Sequence, residues 1–292
     1  MKPIAITIRS VRTPTCRALA LLACGLVFSG SAALSARAAD LAHYRQAGIR
    51  IGYATEVPIA YTRRDGSVTG ESPEVARALL GRLGIDRVSF IATEWGSLIP
   101  GVNAGRFDIA ATGMYITPAR CKQVLFTNPT YKIGDTFVVA RGNPKGLRSY
   151  ADVARQPGTK LAMVSGSVYA RRVAAPGIKD AQILYTPDAS AQLQAVRAGR
   201  ADAAVTTQLS AKEMADKGAG LVEVVADFQD APEHINYGAL ALRPADMPLA
   251  RALNAQLADY LGSDAHRLAV APLGFDATNL PDKTAAQLCG QP

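Results

Sequence analysis

The chain states one motif twice. Ala104-Gly105-Arg106-Phe107-Asp108-Ile109-Ala110-Ala111-Thr112 returns 94 positions later as Ala198-Gly199-Arg200-Ala201-Asp202-Ala203-Ala204-Val205-Thr206, nine aligned positions with six identities. Each copy follows an amphipathic stretch with apolar residues at matching places, Ile99 and Val102, then Leu193 and Val196. Each leads into an apolar run that ends in Thr. Helix, glycine stop, strand is the local reading in both copies. Two copies at so long a period do not make a solenoid, which stacks many short units. They make two similar α/β lobes, and two lobes leave a cleft; coincidence in an Ala- and Gly-rich chain is the competing reading.

The 292 residues, 49% hydrophobic and 19% charged, are enough for two lobes of about a hundred residues each. The first 38 stand apart. Lys2, Arg9, Arg12 and Arg17 precede a charge-free run from Ala18 to Ala36 that ends in Ala36-Arg37-Ala38, which reads as a secretory signal peptide cleaved after Ala38. A retained anchor fits less well, because Ser29-Gly30-Ser31 interrupts the run and no basic cluster follows it. Leu22-Ala23-Cys24 resembles part of a lipoprotein box, but the apolar run before Cys24 is short and continues past it, so lipidation is not expected. With the leader go five basic residues, and the formal net charge falls from +8 to +3. Such a balance gives no case for nucleic acid, and the expected product is an exported, periplasmic monomer.

Cys16 and Cys24 leave with the leader, and Cys121 and Cys289 remain in an oxidising compartment. The expectation is a disulfide between them, with two free thiols as the alternative.

Along the chain, Ile49-Arg50-Ile51-Gly52-Tyr53 alternates as a strand, and Ser72-Pro73-Glu74 opens a helix that Gly84 ends. A strand from Asp135 to Ala140 runs into Arg141-Gly142-Asn143-Pro144-Lys145-Gly146, whose breakers suggest a passage between lobes. Leu161 to Val164 starts the second lobe. Tyr237 to Leu242 reads as a returning strand, followed by an amphipathic helix from about Pro248 to Leu261. The expected domains are therefore 1–38 signal peptide, 39–140 first lobe, 141–235 inserted second lobe and 236–292 first lobe again.

Thr117, as N-cap ahead of Pro118, predicts a helix start that favours an anion. Arg120, one turn in, adds a guanidinium suited to a carboxylate. Simple capping with a surface ion pair is the structural alternative. Trp95 opens the helix before the first repeat, Tyr115 ends the following strand, and Glu56 and Tyr61 lie in the loop after the first strand. All four project from one edge of a sheet, where α/β proteins bind ligands. Aromatic rings and an acid beside a carboxylate site describe a pocket for a compact cation. Tyr53 and Phe107, inside strands, read as core. His43, His234 and His266 are scattered, and there is no metal-ligand spacing, phosphate loop or nucleophile elbow. No catalysis, cofactor or metal is expected.

The succession Gly52-Tyr53-Ala54-Thr55-Glu56, Glu94-Trp95-Gly96-Ser97-Leu98-Ile99-Pro100, Ala104-Gly105-Arg106-Phe107-Asp108, Ile116-Thr117-Pro118-Ala119-Arg120 and Gly199-Arg200-Ala201-Asp202 resembles the periplasmic binding proteins of polar amino acid ABC importers. Glu94 to Pro100 and Thr117 to Phe126, with Gly142 to Leu147, look most like the ectoine and hydroxyectoine binding branch. The resemblance implies a type II fold, α/β, of two lobes joined by two crossing strands, each lobe an open sheet with helices. It implies that Arg120, with Thr117, clamps a ligand carboxylate, on which the backbone at Gly166, Ser167 and Val168 closes. Glu56 would meet a cationic ring, with Trp95 and Tyr115 as two walls of an aromatic box. A third wall falls on Ile59, an aliphatic departure that Tyr61 would have to fill. An aspartate that many amino acid binders use for an α-ammonium falls on Thr207. A neutral Thr cannot pair a buried ammonium, which favours a cyclic zwitterion.

The expected function is a solute-binding protein that closes on a small zwitterion, ectoine or hydroxyectoine, and delivers it to the membrane permease of an ABC importer. The alternatives are a polar or cationic amino acid binder, a sensory module, and an enzyme resembling cyclohexadienyl dehydratases with Glu56 or Glu94 as proton carrier.

Overall fold

The computed structural model describes residues 41–290 apart from residue 175 and residues 230–233. The expected signal peptide at 1–38, its cleavage after Ala38, and Cys24 lie outside the described residues.

The strands, in chain order, are β1 (Ile49–Tyr53), β2 (Tyr61–Thr62), β3 (Val68–Thr69), β4 (Val88–Ala92), β5 (Ile109–Tyr115), β6 (Leu125–Phe126) and β7 (Tyr131–Ile133). β8 (Asp135–Ala140), β9 (Leu161–Val164), β10 (Ile183–Thr186), β11 (Ala203–Thr207), β12 (Val222–Val224) and β13 (Asn236–Leu242) follow. One sheet runs β4-β1-β5-β13-β6, with β7 also on β13; the other runs β10-β9-β11-β8-β12; β2 and β3 form a separate hairpin. The two sheets share a plan. In each, a first strand lies between two parallel neighbours, β1 between β4 and β5, β9 between β10 and β11, and the next strand out, β13 or β8, is antiparallel.

The repeated motif explains the shared plan. Gly105 and Gly199 both take the left-handed conformation, at φ 69° and 67°, which a side chain on Cβ would disfavour. They end the helices Leu98–Asn103 and Ala189–Arg197, and the chain then enters the third strand of its sheet. Asp108 accepts the backbone N–H of Arg50 at 3.0 Å and donates its own N–H to the Arg50 carbonyl at 2.8 Å. Asp202 does the same with Lys160, at 2.7 and 2.8 Å. Each carboxylate thus pins the start of β5 or β11 to the start of β1 or β9, a charge-assisted bond worth roughly 1.5–3 kcal/mol.

All seven residues of β5 and of β13 are buried, as expected for central strands covered on both faces. The helix Glu71–Arg82 packs Val75, Ala76, Leu79 and Leu80 into the same cluster as Leu249, Leu253 and Leu257 of the helix Met247–Tyr260. Each such valine or leucine stabilises the fold by roughly 1.5–3 kcal/mol relative to exposure. Cys121 and Cys289 form a disulfide, Cα–Cα 5.8 Å, which ties the C-terminal helix Ala285–Cys289 to the single turn Pro118–Cys121.

One expected boundary needs correction. β8 was placed in the first lobe, but it pairs antiparallel with β11 from Asp135 opposite Thr207 to Val139 opposite Ala203. The chain therefore leaves the first sheet at Gly134, between β7 and β8, rather than after Ala140. The breakers at 141–146 form a turn inside the second lobe, where the Asn143 side chain bonds both the N–H and the carbonyl of Leu147, each at 3.0 Å. The return crossing enters the first sheet at Asn236. The two crossings meet: Asn236 Nδ2 donates to Asp135 Oδ1 at 2.5 Å, and Arg172 pairs with Asp135 while donating to Asn236 Oδ1 at 2.7 Å.

Candidate functional site

A cavity of about 280 Å³ opens between the two sheets. The first lobe lines it with Glu56, Thr93, Glu94, Trp95, Gly113 and Tyr115; the second with Ser167, Val168, Tyr169, Asp188, Gln192 and Thr206. Apart from Gln192, inside the helix Ala189–Arg197, these positions lie at or near strand ends and in the loops that follow them, the edge at which open α/β sheets bind ligands.

Glu56 follows β1 in a tight loop, its N–H bonded to the Ala60 carbonyl at 2.8 Å and its carbonyl to the Ile59 N–H at 2.7 Å. Its carboxylate accepts from Ser210 Oγ of the second lobe at 2.9 Å. Ser210 Oγ in turn accepts from Thr207 Oγ1 at 2.9 Å. Burial raises the Glu56 pKa, and the Ser210 bond only partly offsets this. Among the described residues it makes no ion pair.

Arg120 is the opposite charge, 7% exposed. Its Nη1 donates to the Tyr115 carbonyl at 2.9 Å and its Nη2 to the Gly166 carbonyl at 3.3 Å, while the guanidinium lies 5.4 Å from the Trp95 ring centroid. It has no carboxylate partner among the described residues. Burial, then the like charge of Arg171, lowers its pKa to about 10. Two of its five donors are engaged, and the rest remain available to an anion. Ser167 Oγ is a buried hydroxyl in the cavity wall with no hydrogen-bond partner among the described residues.

The aromatic groups crowd the acid. Burial pushes the Tyr115 and Tyr169 hydroxyl pKa values well up, with the nearby Glu56 charge adding to the effect, and the two hydroxyls interact with each other. Gly113, φ 63°, leaves room for Tyr131 and Ile59, which any Cβ there would strike.

Of the expected site residues, Glu56, Trp95, Tyr115, Ser167 and Val168 meet in the cavity wall. Arg120 and Gly166 adjoin it through Trp95, whose Nε1 donates to the Gly166 carbonyl at 3.2 Å. Three expectations are corrected. Ile59 is 1% exposed and packs in the core cluster, because the loop that presents Glu56 turns the Ile59 side chain away from the opening. Tyr61 is held in the β2–β3 hairpin opposite Thr69 and does not reach the wall. Thr207, fully buried, caps the helix Gln208–Lys217 and touches the site only through Ser210. The helix after Thr117 is a single turn, and Thr117 itself takes the Arg120 N–H. An anion there would meet the guanidinium rather than a helix dipole.

Tyr169, Asp188, Gln192 and Ser210 were not foreseen. The repeat held a signal for one of them: Asp188 opens the helix before the second copy as Trp95 opens the helix before the first, and it caps that helix by accepting from the Ala191 N–H at 2.8 Å. None of the three histidines lines the cavity.

Two α/β lobes of one plan, with a cavity between them holding an unpaired acid and an unpaired guanidinium nearby, define a two-lobed binding protein. The chain belongs to the bacterial extracellular solute-binding proteins, family 3, whose pattern matches residues 49–265, and its architecture is that of type II periplasmic binding proteins. It is 33% identical over 285 residues to a probable amino-acid ABC transporter periplasmic-binding protein, y4tE, of Sinorhizobium fredii, covering 92% of this chain and 94% of that one. Among solved structures it is similar to EhuB in complex with hydroxyectoine, with a TM-score of 0.79 and 31% identity over 85% of this chain and 97% of that one. It is also similar to the ancestral amino acid-binding protein AncCDT-1, a precursor of cyclohexadienyl dehydratase, at TM-score 0.70 and 29% identity, covering 80% and 98%.

Proposed function

We propose that this protein is the solute-binding component of an ABC importer, that it closes its two lobes around a small zwitterion, and that it hands that solute to the membrane permease. One observation carries the reading: Glu56 is half-buried and Arg120 buried, and neither has an ionic partner among the described residues. A buried charge left unpaired costs several kcal/mol. A ligand with one cationic and one anionic group relieves both costs at once. Burial, rather than each other, is what shifts them, so the two charges act as separate poles.

Ectoine or hydroxyectoine is the solute class this reading favours. The cation would meet Glu56 and the rings of Trp95 and Tyr115, and the carboxylate would meet Arg120, with Ser167 Oγ as a further donor. The similarity to EhuB with hydroxyectoine supports it. A polar or cationic amino acid is the second reading, favoured by Asp188, a carboxylate that the second lobe adds to the same wall and that a free ammonium would reach, and by the relative from S. fredii.

Trp95 is the only tryptophan, so its emission reports this site alone. Titration with ectoine, hydroxyectoine and L-arginine should change that emission for the true solute class. No change with any of them contradicts the placement. Glu56 holds its proton at higher pH than an ordinary glutamate, so a prephenate turnover assay tests the dehydratase alternative; no turnover is expected.

A further inference from the structure

The resemblance left the third wall of the cation pocket on Ile59, and the structure withdraws both Ile59 and Tyr61 from the cavity. A ring nevertheless stands there. Tyr169, from the start of the four-residue helix Tyr169–Arg172, lines the cavity opposite the first-lobe residues Glu56, Trp95 and Tyr115. It is 6% exposed.

We infer that Tyr169 is the third aromatic wall of the cation pocket and that, being the one supplied by the second lobe, it makes cation recognition conditional on closure. This rests on the solute-binding reading above and deepens it. Glu56 with Trp95 and Tyr115 offers a cation two rings and an acid while the lobes are apart; the pocket is enclosed only when Tyr169 arrives. Rings around a desolvated cation add to one another's attraction, so the last wall decides how slowly the cation leaves.

Two features support the placement. The Tyr169 hydroxyl interacts with that of Tyr115, and Tyr115 with that of Tyr131, so the ring is held by a hydroxyl row that crosses from one lobe to the other. Three residues on, Arg172 pairs with Asp135 and bonds Asn236 at the two crossings, so the segment that carries Tyr169 is anchored at the hinge. The chemistry selected is a compact cation whose charge is spread over a ring or a quaternary centre.

The test compares wild type with Tyr169→Phe and Tyr169→Leu, each checked for folding by circular dichroism, using ectoine and tetramethylammonium chloride as probes. Leu fills volume without a ring, and Phe keeps the ring without the hydroxyl. Affinity should stay within about threefold for Tyr169→Phe and fall by roughly tenfold or more for Tyr169→Leu with each probe that binds wild type, the loss appearing in the dissociation rate. Wild-type affinity in Tyr169→Leu overturns the inference. So does failure of tetramethylammonium, at concentrations on the order of tens of millimolar, to shift wild-type Trp95 emission beyond a sodium chloride control. If tetramethylammonium follows the expected pattern while ectoine does not bind, the wall stands and the ectoine reading falls.

Discussion

Arg120 donates through Nη2 to the carbonyl of Gly166 at 3.3 Å, a bond from the first lobe to the second made beside the binding cavity. The Trp95 indole donates to the same oxygen at 3.2 Å. Gly166, at φ 75°, holds a conformation that side chains disfavour, and a Cβ placed on it would lie 3.6 Å from Trp95 Cδ1. One carbonyl therefore receives two donors from the first lobe.

Arg120→Lys separates charge from geometry. An ammonium cannot span the Tyr115 and Gly166 carbonyls and also offer a planar fork to a carboxylate. Solute affinity should fall about a hundredfold, close to 3 kcal/mol, with the fold intact by circular dichroism. Calorimetry that returns near-wild-type affinity removes Arg120 from the site.

Glu56 predicts how binding depends on pH. Burial holds its pKa above the ordinary 4.5, and a cationic ligand binds the ionised form, so affinity should be full well above the ligand-free pKa and decline as pH falls through it. Glu56→Gln should bind weakly at every pH and lose that decline. A decline that persists unchanged in Glu56→Gln assigns the titration to another group.

Glu71 is a buried acid, 1% exposed, with Oε1 lacking any partner among the described residues and Oε2 accepting from Ser72 Oγ at 2.8 Å. Burial raises its pKa from 4.5 to about 7, against the lowering effect of the nearby Thr130 and Ser72 hydroxyls. Between those values the folded protein keeps a proton that the unfolded chain has released. Stability should therefore fall as pH rises from 4.5 to about 7 and stay level above, by roughly 3 kcal/mol. His266, near the same small cavity, has a pKa lowered by burial and then by Arg267. It works the other way, adding stability as pH rises towards 6.5. The difference between wild type and Glu71→Gln isolates the acid: the variant should be the more stable at about pH 8 and lose that advantage at about pH 4. Urea melts showing equal stability at the higher pH contradict the assignment.

Asp135 is fully buried and accepts from Arg172, from Asn236 at 2.5 Å and from Tyr150 at 3.1 Å. Arg172→Met strips the main countercharge, and leaving a buried carboxylate so exposed to its apolar surroundings costs about 3–5 kcal/mol. Melting temperature should drop sharply. Restoring neutrality with Asp135→Asn in the same chain should recover part of the loss; a double variant no more stable than Arg172→Met alone denies the coupling.

Local sequence carried much of the lobe architecture, because the repeat encodes the same backbone event twice: a left-handed glycine, then an aspartate that grips the neighbouring strand. The passage between the lobes was less legible. Glycine and proline at 141–146 look like a linker, yet the pairing of β8 with β11 is a long-range choice that local turn chemistry cannot express. Glu56, Trp95 and Tyr115 could be found because they sit at or just past strand ends of the first lobe. Tyr169 could not, since nothing in Ser167-Val168-Tyr169-Ala170 distinguishes a ring that faces a cleft from one that packs in a core. Ile59 went wrong for the same reason, its direction being fixed by the Glu56–Ala60 backbone pairing rather than by its position in sequence.

The central claim is that the cavity takes a small zwitterion through Glu56 and Arg120. Its most direct test is a calorimetric titration of the purified protein, stripped of ligand by unfolding and refolding, with ectoine. The account predicts saturable one-to-one binding that Glu56→Gln and Arg120→Lys each weaken severely. No heat from a folded protein with ectoine, hydroxyectoine or a panel of polar and cationic amino acids would contradict it.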